Sequence, residues 1–166
     1  MAATRSESQD FVSPEYFDII FSDKPSIPGD IVDLDGHVLG KHRGIEHYTI
    51  GQRRGLGVSS TKPLYVHSID TQRNRVVLAD NNDLLVDGLI ANDWVWAGNY
   101  APKKTFKAMV KIRLASKPVE AEISPLDDGE YIIIFEKQQR AVAPGQSAVV
   151  YLEGIILGGG IISQAI

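Results

Sequence analysis

The sequence predicts a mainly β protein: a small mixed β central domain over residues 29–90, then a six-stranded antiparallel β-barrel over residues 91–166. Three observations point there. Asp35-Gly36 sits between two short apolar runs, a hairpin signature. Residues 106–123 alternate apolar and charged side chains with the period of a strand. About six short strands separated by turn residues fill the second half, a spacing that suits a small closed barrel without free sheet edges.

Residues 1–28 form a lead-in, with Pro14, Pro25 and Pro28-Gly29 as breaks. Tyr16, Phe17, Ile19, Ile20 and Phe21 predict one short amphipathic helix within it. Ile31-Val32-Asp33-Leu34 and His37-Val38-Leu39-Gly40 flank the Asp-Gly pair, whose backbone suits the positive φ angles of a type I′ turn. The stretch from His42 to Gly57 then holds four glycines in the 14 residues from Gly44. Glycine at that density opposes a long helix, so a short helix or turn leading into a loop is expected. Leu64-Tyr65-Val66 and Val76-Val77-Leu78 read as strands joined by the turn from Asp70 to Asn74. A boundary is expected near Gly88 to Asn92.

In the second half, Phe106, Ala108, Val110, Ile112 and Leu114 alternate with Lys107, Met109, Lys111 and Arg113, which predicts one strand with a core face and a cationic face. Val119, Ala121 and Ile123 alternate with Glu120 and Glu122. Asp127-Asp128-Gly129 is a turn, and Tyr131 to Phe135 and Ala148 to Leu152 are apolar strands. Glu153-Gly154 turns into Ile155-Ile156-Leu157, and Gly158-Gly159-Gly160 precedes a last strand at Ile161-Ile162.

The chain has 166 residues, 43% hydrophobic and 23% charged, the balance of a globular protein with a real core. No run approaches the roughly 18 apolar residues of a membrane-spanning helix, and Met1 to Asp10 lacks the apolar core of a secretory signal. No cysteine is present, which removes disulfides, thiolate metal sites and a cysteine nucleophile from these residues and fits a reducing cytoplasm.

Net charge is −4, yet it is unevenly spread. Residues 36–75 are net +5 and contain all four histidines; residues 103–117 are net +6 with no acid. The segments around them are acidic. Two basic windows on an acidic chain indicate a localised anionic partner, unless the charges are simply solvated and paired in space.

Candidate chemistry follows these windows. Gly51-Gln52-Arg53-Arg54-Gly55-Leu56-Gly57 is a cationic glycine-rich loop without the G-K-[ST] ending of a nucleotide-binding P-loop. Arg53 and Arg54 can approach a phosphate backbone, and the Gln52 amide can donate and accept. Alternatively its glycines serve only a structural turn. Lys103, Lys104, Lys107, Lys111 and Arg113, with Tyr100 and Phe106 nearby, read as a basic strand edge or face shaped for a polyanion, or as a solvated barrel wall. Gln146, in the turn Ala143-Pro144-Gly145-Gln146-Ser147, either reads RNA or caps its turn. His37, His42 and His47 are spaced by five, which is no one-face period, so a metal site or an independent enzyme built on them is the weakest option.

These residues resemble a family. Pro28-Gly29-Asp30-Ile31-Val32-Asp33, Gly40-Lys41-His42-Arg43-Gly44, Tyr48-Thr49-Ile50-Gly51-Gln52-Arg53-Arg54-Gly55-Leu56-Gly57 and Pro63-Leu64-Tyr65-Val66 are similar to the central domain of tRNA-specific 2-thiouridylases. Lys111-Ile112-Arg113, Gln139 to Val149 and Leu157-Gly158-Gly159-Gly160-Ile161-Ile162 resemble its C-terminal barrel, of the translation-factor type. Older names call this family a tRNA methyltransferase; no S-adenosylmethionine pattern is visible here.

The resemblance implies a cytoplasmic tRNA partner and no membrane. Full-length members thiolate C2 of the wobble uridine after ATP adenylates the base, and a cysteine persulfide delivers the sulfur. Their ATP-binding domain carries a Ser-Gly-Gly-x-Asp-Ser loop, absent from these residues. Ser8-Gln9-Asp10 runs into Phe11-Val12, where the family's second catalytic cysteine would stand. The lead-in is then a remnant that links to a missing ATP-binding domain. The chain is expected to be inactive alone, to hold no cofactor itself, and to work with an ATP-binding catalytic domain or protein and a sulfur carrier. By position, Arg113 matches a tRNA-contacting arginine, Leu114 replaces the aromatic beside it, and Gln146 matches a tRNA-contacting glutamine. Lys111 lies next to that pair, and Gln52, Arg53 and Arg54 match a loop near the active-site entrance. The alternative is a stand-alone barrel adaptor that docks a protein, marked by an exposed apolar patch with a polar rim.

Overall fold

The computed structural model describes residues 26–114 and 116–166. The helix expected over Tyr16 to Phe21 and the Ser8-Gln9-Asp10 stretch lie outside the described residues. The rest is built of strands, with short 3-10 turns and no α-helix among the described residues.

β1 (Gly29–Val32) and β2 (Val38–His42) form the expected hairpin across Asp33 to Gly36. Gly36 adopts φ 86°, the conformation for which glycine is suited. β3 (Tyr65–Asp70) and β4 (Arg75–Ala79) form a second hairpin, and β1 pairs with β4 in parallel. The sheet order is β2-β1-β4-β3. Parallel neighbours need a crossover, and residues 43–64 provide it, running from one edge strand to the other. The crossover also builds the core of this half: Leu56 is buried with Ile31, Val66, Val76 and Leu78, and Ile45, Tyr48, Val58 and Leu64 pack around them. The short helix or turn expected after His42 is the 3-10 turn Ile45–His47.

The second half closes into a barrel, in the order β10-β5-β8-β7-β6-β9. Its strands are β5 (Leu85–Trp96), β6 (Phe106–Lys111), β7 (Val119–Pro125), β8 (Tyr131–Arg140), β9 (Ser147–Leu152) and β10 (Ile155–Ala165). The inner residues of the alternating strands, including Ala108, Val110, Ala121, Ile123, Ile133, Ala148 and Val150, are buried together. The mixed β domain and the six-stranded antiparallel barrel read from the sequence are both present.

Three details differ from the sequence reading. Position 90, where that reading divides the chain, falls inside β5, the longest strand. β6 ends at Lys111, and Arg113 and Leu114 belong to a turn in which both the Ser116 N–H and the Ser116 hydroxyl donate to the Arg113 carbonyl. The three consecutive glycines lie within β10, not before it. Their place follows from two indoles on β5. A Cβ at Gly158 would lie 2.6 Å from the Trp96 ring, and one at Gly160 would lie 2.7 Å from both the Trp94 ring and the Asn92 carbonyl. The glycines clear space for Trp94 and Trp96, which stack on each other at 4.7 Å.

Candidate nucleic-acid interface

The direction of the barrel strands sets the site. Val110 faces Val119, Lys111 faces Val149, and Leu85 faces Arg140. The ends of β6 and β8 and the starts of β5, β7 and β9 therefore share one end of the barrel. Arg113, two residues past β6, Arg140, the last residue of β8, and Gln146, just before β9, all belong to that end.

The four-stranded half meets the barrel there. The Arg140 guanidinium lies 4.5 Å from the Tyr65 ring centroid, and its Nε donates to Asn81 at 2.7 Å. Arg113 Nη2 donates to the carbonyls of Arg140 and Ala141. Gly51, with φ 85°, brings the cationic loop against them: a Cβ there would lie 2.9 Å from the Ala141 Cβ, 3.6 Å from Arg140 Nη1 and 3.8 Å from Arg113 Nη2. Two guanidinium groups thus converge on one point at the junction. Desolvation, with the neighbouring charge of Arg140, pulls the Arg113 pKa below its ordinary value. The ion pairs among the described residues are His37–Asp33, Lys41–Asp30, His47–Glu46 and Arg73–Asp70, none of which neutralises Arg113 or Arg140.

The loop is shaped by its own backbone. The Gly51 N–H donates to Val66 and the Val66 N–H donates to Gln52, which zips the loop to the start of β3. Buried Leu56, between Gly55 (φ 70°) and Gly57 (φ 72°), pins it from within, while Arg53 and Arg54 remain exposed. The Gln52 amide is engaged inside the loop: its Oε1 accepts from the Thr49 N–H and its Nε2 donates to the Arg54 carbonyl. In this arrangement Gln52 holds the loop that presents the two arginines. Beside it lies a cleft of about 260 Å³ that includes Arg53, Ser60 and Lys62.

Leu114 projects into solvent at 75% exposure. Lys111 is half-buried at the end of β6. Gln146 Oε1 is buried without a hydrogen-bond partner, while its backbone accepts from Ile162. A buried amide oxygen left open in this way is an acceptor in want of a donor.

The reading of residues 103–113 as one basic strand edge is corrected, while Lys107 and Lys111 do share the outer face of β6, with Ala108 and Val110 buried behind them. β6 is paired on both sides, with β7 and β9, so it has no edge. It also separates the cations. Lys103 and Lys104 precede β6 and stand at the opposite barrel end from Arg113, about 20 Å away for six extended residues. Lys107, midway, stands across from Glu122. Phe106 packs on Trp96 at 6.3 Å in the barrel's aromatic cluster, away from exposed Tyr100. The histidines are not gathered either. His37 bonds to Asp33, His42 is buried with Nε2 on the Asn74 carbonyl, and His47 bonds to Ser26.

Arg140 is the residue that sequence reasoning missed. It lies in the acidic tail, outside both basic windows, and the signal for it was its place in the Gln139 to Val149 stretch. With no α-helix among the described residues, the Gly51–Gly57 loop lacks the helix N-terminus of a phosphate cradle.

Comparisons with known proteins agree with this architecture. Residues 86–162 match a family described as an aminomethyltransferase beta-barrel domain, and residues 18–80 match one described as a tRNA methyl transferase PRC-barrel domain. The chain is 46% identical over 141 residues to the tRNA-specific 2-thiouridylase MnmA of Acetivibrio thermocellus, covering 85% of this chain and 39% of that protein. It is 40% identical over 168 residues to the enzyme of the same name from Chloroflexus aggregans, covering 98% and 47%. For that of Endomicrobium trichonymphae the identity is 44% over 163 residues, covering 97% and 45%. The chain spans less than half the length of these curated relatives. With its mixed β sheet and closed barrel matched along nearly all of their sequence, the chain belongs to the tRNA-specific 2-thiouridylase family, whose central and C-terminal domains it resembles.

Proposed function

We propose that this chain is the tRNA-binding portion of a tRNA 2-thiouridylase, acting in the cytoplasm. It grips the tRNA at the junction of its two β units, so that an ATP-dependent catalytic unit supplied by another domain or protein can transfer sulfur to C2 of the wobble uridine. The observation that carries this reading is the convergence of Arg113, Arg140 and the Arg53-Arg54 loop at one barrel end, without carboxylate partners for either junction arginine among the described residues. Uncompensated guanidinium groups on a mostly acidic protein favour an anion, and a phosphate backbone meets several at once. Lys111 and Leu114 flank the same end, where Leu114 is exposed.

Titrating unmodified tRNA transcripts into the chain between 50 and 200 mM salt tests the proposal. Neutralising about four phosphates would make log K fall against log salt with a slope of about −3 to −4. Absence of binding, or affinity indifferent to salt, overturns it.

A further inference from the structure

The outer wall of the barrel carries a second surface of opposite character, away from the cationic junction. Strands β9, β6, β7 and β8 line a groove of about 490 Å³. Their register lays acids and apolar side chains side by side. Met109 stands between Tyr151 and Glu120, and Glu122 stands between Lys107 and Ile134. Ile134 and Leu152 keep 41% and 47% of their surface in water. Glu120, Glu122, Glu136 and Glu153 all line the groove, against Lys107 alone. The Glu136 carboxyl beside Glu120, a group of like charge, raises the Glu120 pKa.

We propose that this groove docks a segment of a partner protein that carries lysine or arginine beside an apolar side chain. The cation separates Glu120 from Glu136, and the apolar group covers Ile134 and Leu152. Charge decides the occupant. A nucleic acid would meet four carboxylates. The chain's own residues 1–25 hold five acids and two bases, so they repel the groove. The same face of a second copy would bring glutamates onto glutamates. A basic amphipathic segment complements both the charge and the apolar floor. This inference does not rest on tRNA binding.

The probe is a capped ten-residue peptide alternating lysine and leucine, with a glutamate–leucine peptide as control, followed by amide chemical shifts of the whole chain. The lysine peptide is expected to shift residues of β6 to β9 around the groove, and the control is expected not to. The combined variant Glu120→Gln, Glu122→Gln and Glu136→Gln weakens the peptide about tenfold, while Lys107→Ala strengthens it about twofold. Both changes lie on exposed side chains, and tRNA affinity, measured in parallel, stays the same. The proposal is overturned by equal binding of both peptides, by undiminished binding to the glutamine variant, by shifts confined to other strands, or by no binding at millimolar peptide. Self-association of the chain that the glutamine variant abolishes would reassign the groove to a second copy and also overturn it.

Discussion

Arg140 at the end of β8 lies over the ring of Tyr65 at the start of β3, 4.5 Å from its centroid, and so joins the barrel to the four-stranded sheet. The same side chain bonds to Asn81 in the segment between the two units. Replacing Arg140 with Ala removes a cation–π contact and a hydrogen bond together. A loss of about 1–2 kcal/mol in urea unfolding is expected. A double-mutant cycle with Tyr65→Leu should return a coupling of about 0.5–2 kcal/mol, and strict additivity would show that the two rings of contact act independently.

Arg113 has two tasks, holding the carbonyls of Arg140 and Ala141 and presenting charge at the junction. Arg113→Lys keeps the charge but loses the planar fork. Arg113→Ala should lower the magnitude of the tRNA salt slope by about 1, and Arg113→Lys should leave that slope near its original value. Filter binding at several salt concentrations reads both.

Gly160 faces the Trp94 ring and the Asn92 carbonyl, with no room for a methyl group. Gly160→Ala should cost about 1–3 kcal/mol through overpacking. Gly154→Ala, at a turn with open space but φ 83°, separates backbone strain from crowding. Thermal unfolding with tryptophan fluorescence follows both, and only the Gly160 change should alter the spectrum of the stacked indoles.

Stability should respond to pH with opposite signs in the two halves. The hydrogen bond from Lys41 holds Asp30 below 3.8, and the Arg73 N–H does the same for Asp70. Their stabilisation is present above that value and fades as pH falls through the lower folded pKa. Glu120 is raised above 4.5 by Glu136, so its contribution is present below 4.5 and is lost as pH rises through the folded pKa. Glu120→Gln should therefore raise the Tm at pH 7 and leave it unchanged near pH 3. A Tm at pH 7 equal to that of the unaltered chain would show that the glutamate pair carries no cost.

The sequence made the hairpin at Asp35-Gly36 and the alternation of β6 and β7 legible, because turn chemistry and a two-residue period are local. β5 was hidden. Its alternation breaks at Asn92-Asp93, where Asp93 takes φ 49° and the register with β10 slips between Gly159 and Ile161. A bulge of this kind erases the period that reveals a strand. Gly158 to Gly160 imitated a turn because the indoles that require them are more than 60 residues away in sequence. The candidate site divides in the same manner. The charge windows were visible as composition, but only the pairing of β6 on both sides shows that Lys103 and Arg113 stand apart. Likewise, only the fold brings Arg140 from an acidic stretch to Arg113.

The parallel pairing of β1 with β4 puts β2 and β3 on opposite borders, about 14 Å apart across three strand spacings. The segment that presents Arg53 and Arg54 is consequently a strap that crosses from one border to the other and is anchored midway by buried Leu56. Extra residues near Ser59 to Lys62, on its exposed stretch, can bulge outward without consequence. Trimming between Gly51 and Leu56 would unseat the leucine beneath. Length added to this strap is accordingly expected to be tolerated on its outward side.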